Sequence, residues 1–263
     1  MSKYLNMITT IIKMRLSESL TYRLESFING IGELVNDLLG PLLAFFIYEA
    51  TSGLPGWSFY EFVLFNATTI ISGSIAISIF MPMVWSIGWK IDKGYFDEML
   101  TKPLNIIAYM IIEPINLHGL TGTITGITIV IICIFNLGYS VTLAGVITYI
   151  YIILLSGIAV YGVVSLAIGL SFKLFKVHQF MQLFWDLQQL GEYPLNIYKT
   201  FIPFILTFIF PIAVANYYPA SFLLDKITDF SIIIVLTIVS AVFAIIGTLS
   251  IKYGIKYYSS AGG

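Results

Sequence analysis

The amino-acid sequence reads as an all-α membrane protein: six transmembrane helices preceded by an N-terminal interfacial amphipathic helix, with both termini cytoplasmic. Three observations lead there. Of 263 residues, 58% are hydrophobic and only 10% charged, at a mean hydropathy of +0.93, whereas a soluble domain carries about a quarter charged residues. Six runs are long enough to cross a hydrocarbon core, which takes about 20 mostly apolar residues. The cations fall almost wholly on one side of those runs. This composition excludes disorder and a water-soluble fold. With 13 basic against 14 acidic residues, no charged face invites nucleic acid.

Residues 1–20 come first. Lys3, Asn6, Thr10, Lys13 and Ser17 recur at spacings of 3 and 4, with Leu5, Ile8, Ile12 and Leu16 opposite. That periodicity predicts a helix lying in the inner interface, its lysines toward anionic headgroups. Lys13 and Arg15 interrupt the apolar core that a secretory signal would need. The spans follow as Phe27–Ala50, Phe59–Ser86, Ile106–Phe135, Thr142–Phe172, Phe201–Tyr217 and Phe230–Ile251. The third and fourth exceed the minimum length and should tilt or project. The fifth is short and bracketed by Pro203, Pro211 and Pro219. Residues 176–200 have two readings: an amphipathic helix in the inner interface, or the start of a longer fifth span broken at Pro194.

Cytoplasmic loops retain Lys and Arg. With the N-terminus inside, Lys3, Lys13, Arg15, Arg23, Lys90, Lys93, Lys102, Lys173, Lys176, Lys199, Lys252 and Lys256 are internal, leaving only Lys226 outside. The external connections are then Thr51–Ser58, Asn136–Val141 and Tyr218–Asp229. No stretch is long and polar enough for a separate soluble domain.

Three carboxylates fall inside spans, where ionisable groups are costly and face a cavity or a partner. Glu33 and Asp37 share one helix face. They line an inward-facing entrance for a cationic or amphipathic substrate, or else lie near the inner headgroups beside Arg23 or a lysine. Glu113, Pro114, Asn116 and His118 cluster early in the third span, where Pro114 frees a carbonyl and marks a hinge. His118 is either a titrating group or a structural hydrogen-bonding one, the blander role. Gly119, Gly122 and Gly126, and then Gly157, Gly162, Ser165 and Gly169, form small faces that let helices approach closely within the chain. His178 reads as a solvated loop residue. The lone Cys133 excludes an internal disulfide and reads as a small buried hydrophobe.

Residues 88–105, GWKIDKGYFDEMLTKPLN, are the informative loop. Gly88 and Gly94 permit turns and Pro103 ends any preceding helix. Tyr95, Phe96, Met99 and Leu100 share one side of a short helix. Such a face suits a groove on a partner protein, or packs on the membrane or neighbouring loops.

The run Ile91–Asn105 resembles the cytoplasmic loop of ABC-2 type transporter permeases, in the branch long catalogued as a domain of unknown function, with the pattern I-x-x-G-x-[FL]-D-x-x-L-x-[RK]-P. Phe184–Leu224 is similar to a second block of that branch through Trp185, Tyr193, Pro194, Ile197, Tyr198, Pro211, Pro219 and Ala220. GIKYYSSAGG, residues 254–263, is similar to a third. Lys102 departs from the more frequent arginine and loses its planar fork.

The resemblance implies an ABC-2 (type V exporter-like) fold, with residues 1–263 a single transmembrane permease domain in a prokaryotic cytoplasmic (inner) membrane. It implies the permease subunit of an exporter, paired with an identical or sister permease and driven by separate ABC ATPase subunits that hold the ATP and Mg. It gives the loop's Asp92, Lys93, Tyr95, Phe96, Asp97, Glu98, Met99, Leu100 and Lys102 the role of a coupling helix docked in the ATPase. It also implies a re-entrant outer element at 212–229, with Tyr217, Tyr218, Pro219 and Phe222 as gating residues; an ordinary external loop is the other reading. The chain itself has no G-x-x-x-x-G-K-[ST] loop to cradle phosphates and is expected to carry no cofactor, metal or catalytic group. An intramembrane enzyme would need a metal or nucleophile constellation, yet H-E-x-x-H is missing and the two histidines lie 60 residues apart. A stand-alone secondary transporter or channel is the alternative, but the inverted repeats common in such proteins are not visible.

Overall fold

The computed structural model describes residues 2–102, 104–117, 119–138, 141–174 and 177–259. Pro103, His118 and Lys176 therefore lie outside the described residues, as do the side chains of Asp92 and His178. The described chain is helical, without a strand. Five helices are long and apolar enough to cross a membrane: Arg23–Ala50, Phe59–Ile91, Leu120–Leu137, Leu143–Lys173 and Ser231–Tyr257.

In chain order, α1 (Ser2–Thr21) meets α2 (Arg23–Ala50) at a bend. α3 (Phe59–Ile79) runs into α4 (Met81–Asp92), and α5 (Phe96–Leu100) and α6 (Ile106–Ile112) are short. α7 (Leu120–Leu137) and α8 (Leu143–Leu174) follow, then α9 (Val177–Leu190), α10 (Phe201–Phe204) continued by a π turn at Ile205–Ile209, α11 (Tyr217–Leu223) and α12 (Ser231–Gly254). Local chemistry sets several boundaries. Glu61 accepts from the Ser58 amide at 2.7 Å in a capping box that starts α3. Asn105 caps α6 by accepting from the amides of Ile107 and Ala108.

Two helix pairs form the frame. α3 and α7 are antiparallel, and a Cβ on Gly126 would lie 2.8 Å from the Ala67 carbonyl, so only glycine permits that approach. α8 and α12 run parallel in close contact, with Gly162 and Gly247 facing each other. Tyr161–Thr248 and Tyr151–Thr237 bonds of 2.8 and 3.0 Å fix their register. The small faces read from sequence thus make contacts within the chain.

Three expectations change. The third span is not continuous: α6 ends at Ile112, with Glu113 as its C-cap, and α7 begins only at Leu120. Pro114 lacks the N–H that would bond the Met110 carbonyl and carry the helix on, and the Glu113 carbonyl, beyond the last helical turn, accepts from Arg15 Nη2 at 3.1 Å. The fifth span is not at Phe201–Tyr217. α9 leads away from the Leu174 end of α8, and residues 191–198 carry the chain to loop 51–58, where Asn196 bonds both Trp57 and the Pro55 carbonyl. Lys199 therefore belongs to the end that carries Lys226, and among the described residues the cation tally becomes ten against two.

The third change concerns residues 201–223, which form a hairpin dipping into the bundle. Its bend is held by Ser72 Oγ donating to the Ala215 carbonyl at 2.7 Å and by Asn216 Nδ2 donating to the Gly191 carbonyl at 2.8 Å. Ser72 is 13 residues into α3, about 20 Å from its start, so the bend reaches well into a core of about 30 Å. Irregular backbone survives at that depth because it is covered and bonded by protein.

Candidate functional site

The 88–105 loop is anchored from within. Phe96 is fully buried, its ring 5.1 Å from Phe172 and 4.9 Å from Tyr258, and Met99 is 4% exposed. Both are expected from sequence on a displayed face; instead Phe96 binds the loop to α8 and the C-terminal turn, and Met99 joins the same buried cluster. Gly94, at φ 75°, makes the turn that lets this happen. What remains outside is Tyr95, stacked on Trp89 at 5.1 Å and 9°, with Leu100 nearby in sequence; all three are about half exposed. Glu98 and Lys102 pair at 3.0 Å, and Lys102 also donates to the Tyr109 hydroxyl at 3.0 Å. Those two partners, the Tyr109 hydroxyl first, hold the Lys102 ammonium above the usual lysine range. Lys93 is exposed and Asp97 half-buried.

The second feature is a groove of about 370 Å³ between α2, α3 and the turn after α9. Asn36, Asp37, Asn66, Thr69, Glu192 and Tyr193 give it polar groups at membrane depth. A narrow cleft of about 40 Å³ lies beside it, sharing Thr69, Gly73 and Ile77 and bounded by Trp185, Gln188, Pro211 and Asn216. One stripe of α3 thus faces α2, α9 and the bend of the hairpin.

The structure sorts the expected polar residues. Asp37 lines the groove, while its Oδ2 is buried near Gly122 without a hydrogen-bond partner among the described residues. Glu33 lies one turn away and accepts from the Thr121 hydroxyl. Glu113 is not at the groove; it pairs with Lys90 at 2.6 Å, and the Ser86 hydroxyl lies 3.5 Å away. Pro219 and Phe222 do not line the groove or the cleft either. Both are buried in α11, with Phe222 packed among Ile152, Val214 and Leu236. Tyr217 packs 6.4 Å from Trp57, and the Tyr218 hydroxyl bonds Thr207 at 3.3 Å. The hairpin residues that reach the cleft are Pro211, Ile212, Ala215 and Asn216.

A third arrangement had not been expected. Lys226 Nζ pairs with Glu61 at 2.9 Å, donates to the Gly56 carbonyl at 2.8 Å, and sits 4.7 Å over the Trp57 ring. Trp57 Nε1 donates to Asn196 Oδ1 at 2.9 Å. This polar clamp joins loop 51–58, the turn after α9 and the α11–α12 connection. Its one sequence signal is Lys226, the cation standing apart from the rest.

Spanning helices with a polar groove between them and a helical loop at the cation-rich end mark a multi-pass membrane protein. A family model described as ABC-2 family transporter protein matches residues 34–262. The chain therefore belongs to the ABC-2 transporter family, whose members are ABC transporter permeases that typically work with ABC ATPase subunits. No curated protein and no solved structure matches it.

Proposed function

We propose that the chain is the permease subunit of an ATP-driven exporter in a prokaryotic cytoplasmic membrane, crossing the bilayer six times with both termini inside. α2, α3–α4, α7, α8, α9 with residues 191–199, and α12 are the six crossings. The geometry that favours this count is the path from Leu174 through α9 to Asn196. Ten of the twelve cations among the described residues then fall on the α5 side, as cytoplasmic loops require.

The observation that carries the reading is the Trp89–Tyr95 stack: an exposed aromatic pair on a loop braced from behind by Phe96 and Met99. Large apolar groups left uncovered on a rigid support mark interaction surfaces. The partner is an ABC ATPase subunit holding ATP and Mg, which this chain does not bind. Two permeases, identical or sister subunits, enclose a pathway lined by the Asp37–Asn66–Glu192 groove. ATP binding favours one arrangement of the pair only through differential contacts at this loop, and the bracing transmits them to α8.

The test replaces Tyr95 and Leu100 with alanine together. The membrane domain keeps its yield and thermal stability, while co-purification of the ATPase and ATP-dependent transport are lost. Normal assembly and transport in that variant contradict the assignment. Transport by the chain alone, indifferent to nucleotide, would favour the secondary-transporter reading.

A further inference from the structure

A larger cavity, adjoining the groove at Ile77 and apart from the α5 surface, lies between the α1–α2 bend, the α3–α4 junction and the break between α6 and α7. It encloses about 550 Å³. The Ser78 carbonyl, which accepts from the Asn116 amide at 2.9 Å at this break, is about 28 Å along α3 from Phe59. The cavity therefore opens near the level where a hydrocarbon core of about 30 Å ends, on the side that carries α5.

Its lining is divided. Arg15, Glu18 and Glu25 supply charge; Trp85, Ile115 and Leu117 supply apolar surface. Arg15 Nη1 holds Glu18 at 3.0 Å, its Nη2 donates to the Glu113 carbonyl, and its Nε is buried without a partner. No ion pair engages Glu25 among the described residues. One guanidinium against two carboxylates leaves the wall net negative, and the half-exposed indole of Trp85 adds a face that attracts cations. A bare metal ion does not suit it: no cluster of three metal-ligating side chains exists among the described residues. A soluble anion would face the two carboxylates. An amine meets the carboxylates, a phosphate meets the guanidinium, and a hydrocarbon chain covers Ile115 and Leu117.

We propose that this cavity binds an aminophospholipid of the adjacent leaflet, its ammonium between Glu18 and Glu25, its phosphate at Arg15 and one acyl chain along Leu117, Ile115 and Trp85. The lipid fills the space under α1 and ties that helix to the broken third span. The inference does not depend on the ATPase partner, because it concerns the isolated chain.

The full chain, purified from a membrane containing both phosphatidylethanolamine and phosphatidylglycerol, is weighed intact with the lipids it retains. Phosphatidylethanolamine is retained preferentially. Glu25→Gln and Leu117→Trp each reduce its retention about tenfold, the scale of one lost charge-assisted contact, while Glu98→Gln on α5 leaves it unchanged. Arg15→Ala has the same effect but also releases α1; Leu117→Trp fills the apolar wall without touching a charge, and a normal melting temperature shows that it folds. Equal retention of phosphatidylglycerol by the unaltered chain overturns the proposal. So does unchanged retention in Glu25→Gln and Leu117→Trp, or displacement of the lipid by soluble phosphoethanolamine at equal concentration.

Discussion

Around loop 51–58, Trp57, Glu61, Asn196 and Lys226 satisfy one another within the chain, whereas around α5 the rings of Trp89 and Tyr95 pair with each other and face outward. Both ends carry aromatics and charges, so composition does not separate them. The difference lies in what completes each. The clamp needs nothing else, and polar groups so fully paired resist being pulled apart. The α5 end has a finished inner layer, Phe96 and Met99, beneath an unfinished outer one. An end that closes on itself suits a device that opens only when driven; an end braced but uncovered suits the place where the drive is applied.

The sharpest way to break this contrast is Phe96→Ala. Emptying a fully buried ring site costs about 3–5 kcal/mol and should lower the melting temperature of the purified chain; Tyr95→Ala, at an exposed site, should change stability by no more than about 0.5 kcal/mol. Equal effects would mean that α5 has no inner and outer layer. Next is Asn196→Ala, which leaves Trp57 Nε1 without its acceptor at a cost of about 1–3 kcal/mol. It should speed modification of a cysteine placed at Ser58 without altering ATPase assembly. Lys226→Met breaks a partly screened ion pair worth about 1 kcal/mol and should loosen the same end less. The smallest effect is a pH dependence at Lys102. Its folded-state value is raised, so its bonds to Tyr109 and Glu98 are intact at neutral pH and are lost only as pH climbs above the ordinary lysine value of about 10.4. Loosening of α5 near pH 7, followed by hydrogen exchange, would contradict that assignment.

Much of this architecture was legible in the sequence, for identifiable reasons. The core of each of the five long helices lay within an apolar run of sufficient length, and the glycines of α7 and α8 marked the close contacts. Residues 201–217 misled because a hairpin with a protein-covered bend and a first arm that leaves Phe201, Phe204, Phe208 and Ile209 uncovered is as apolar as a span facing lipid, and hydropathy does not tell the two apart. Residues 176–200 were left with two readings, since Phe180, Phe184 and Trp185 suit an interfacial helix as well as one packed against α8. Placing Lys199 inside followed from that ambiguity. Pro114 signalled a kink but not that the helix would stop. At α5, periodicity grouped Tyr95, Phe96, Met99 and Leu100 on one side; the turn at Gly94 and the reach of Phe172 and Tyr258 split them. Glu33 and Asp37 were legible as costly groups, but their surroundings were not, because Thr121, Gly122 and Glu192 come from distant parts of the chain.

Cys133 is the one native cysteine and is 1% exposed, so an introduced thiol reports from a single place. The most direct measurement is disulfide or maleimide crosslinking of Tyr95→Cys and, separately, Thr51→Cys to the ABC ATPase in native membranes. Crosslinking from Tyr95→Cys alone, strengthened or weakened by ATP, is the expected result. Crosslinking from Thr51→Cys, or none from Tyr95→Cys in a complex that still transports, would show that the energy enters elsewhere.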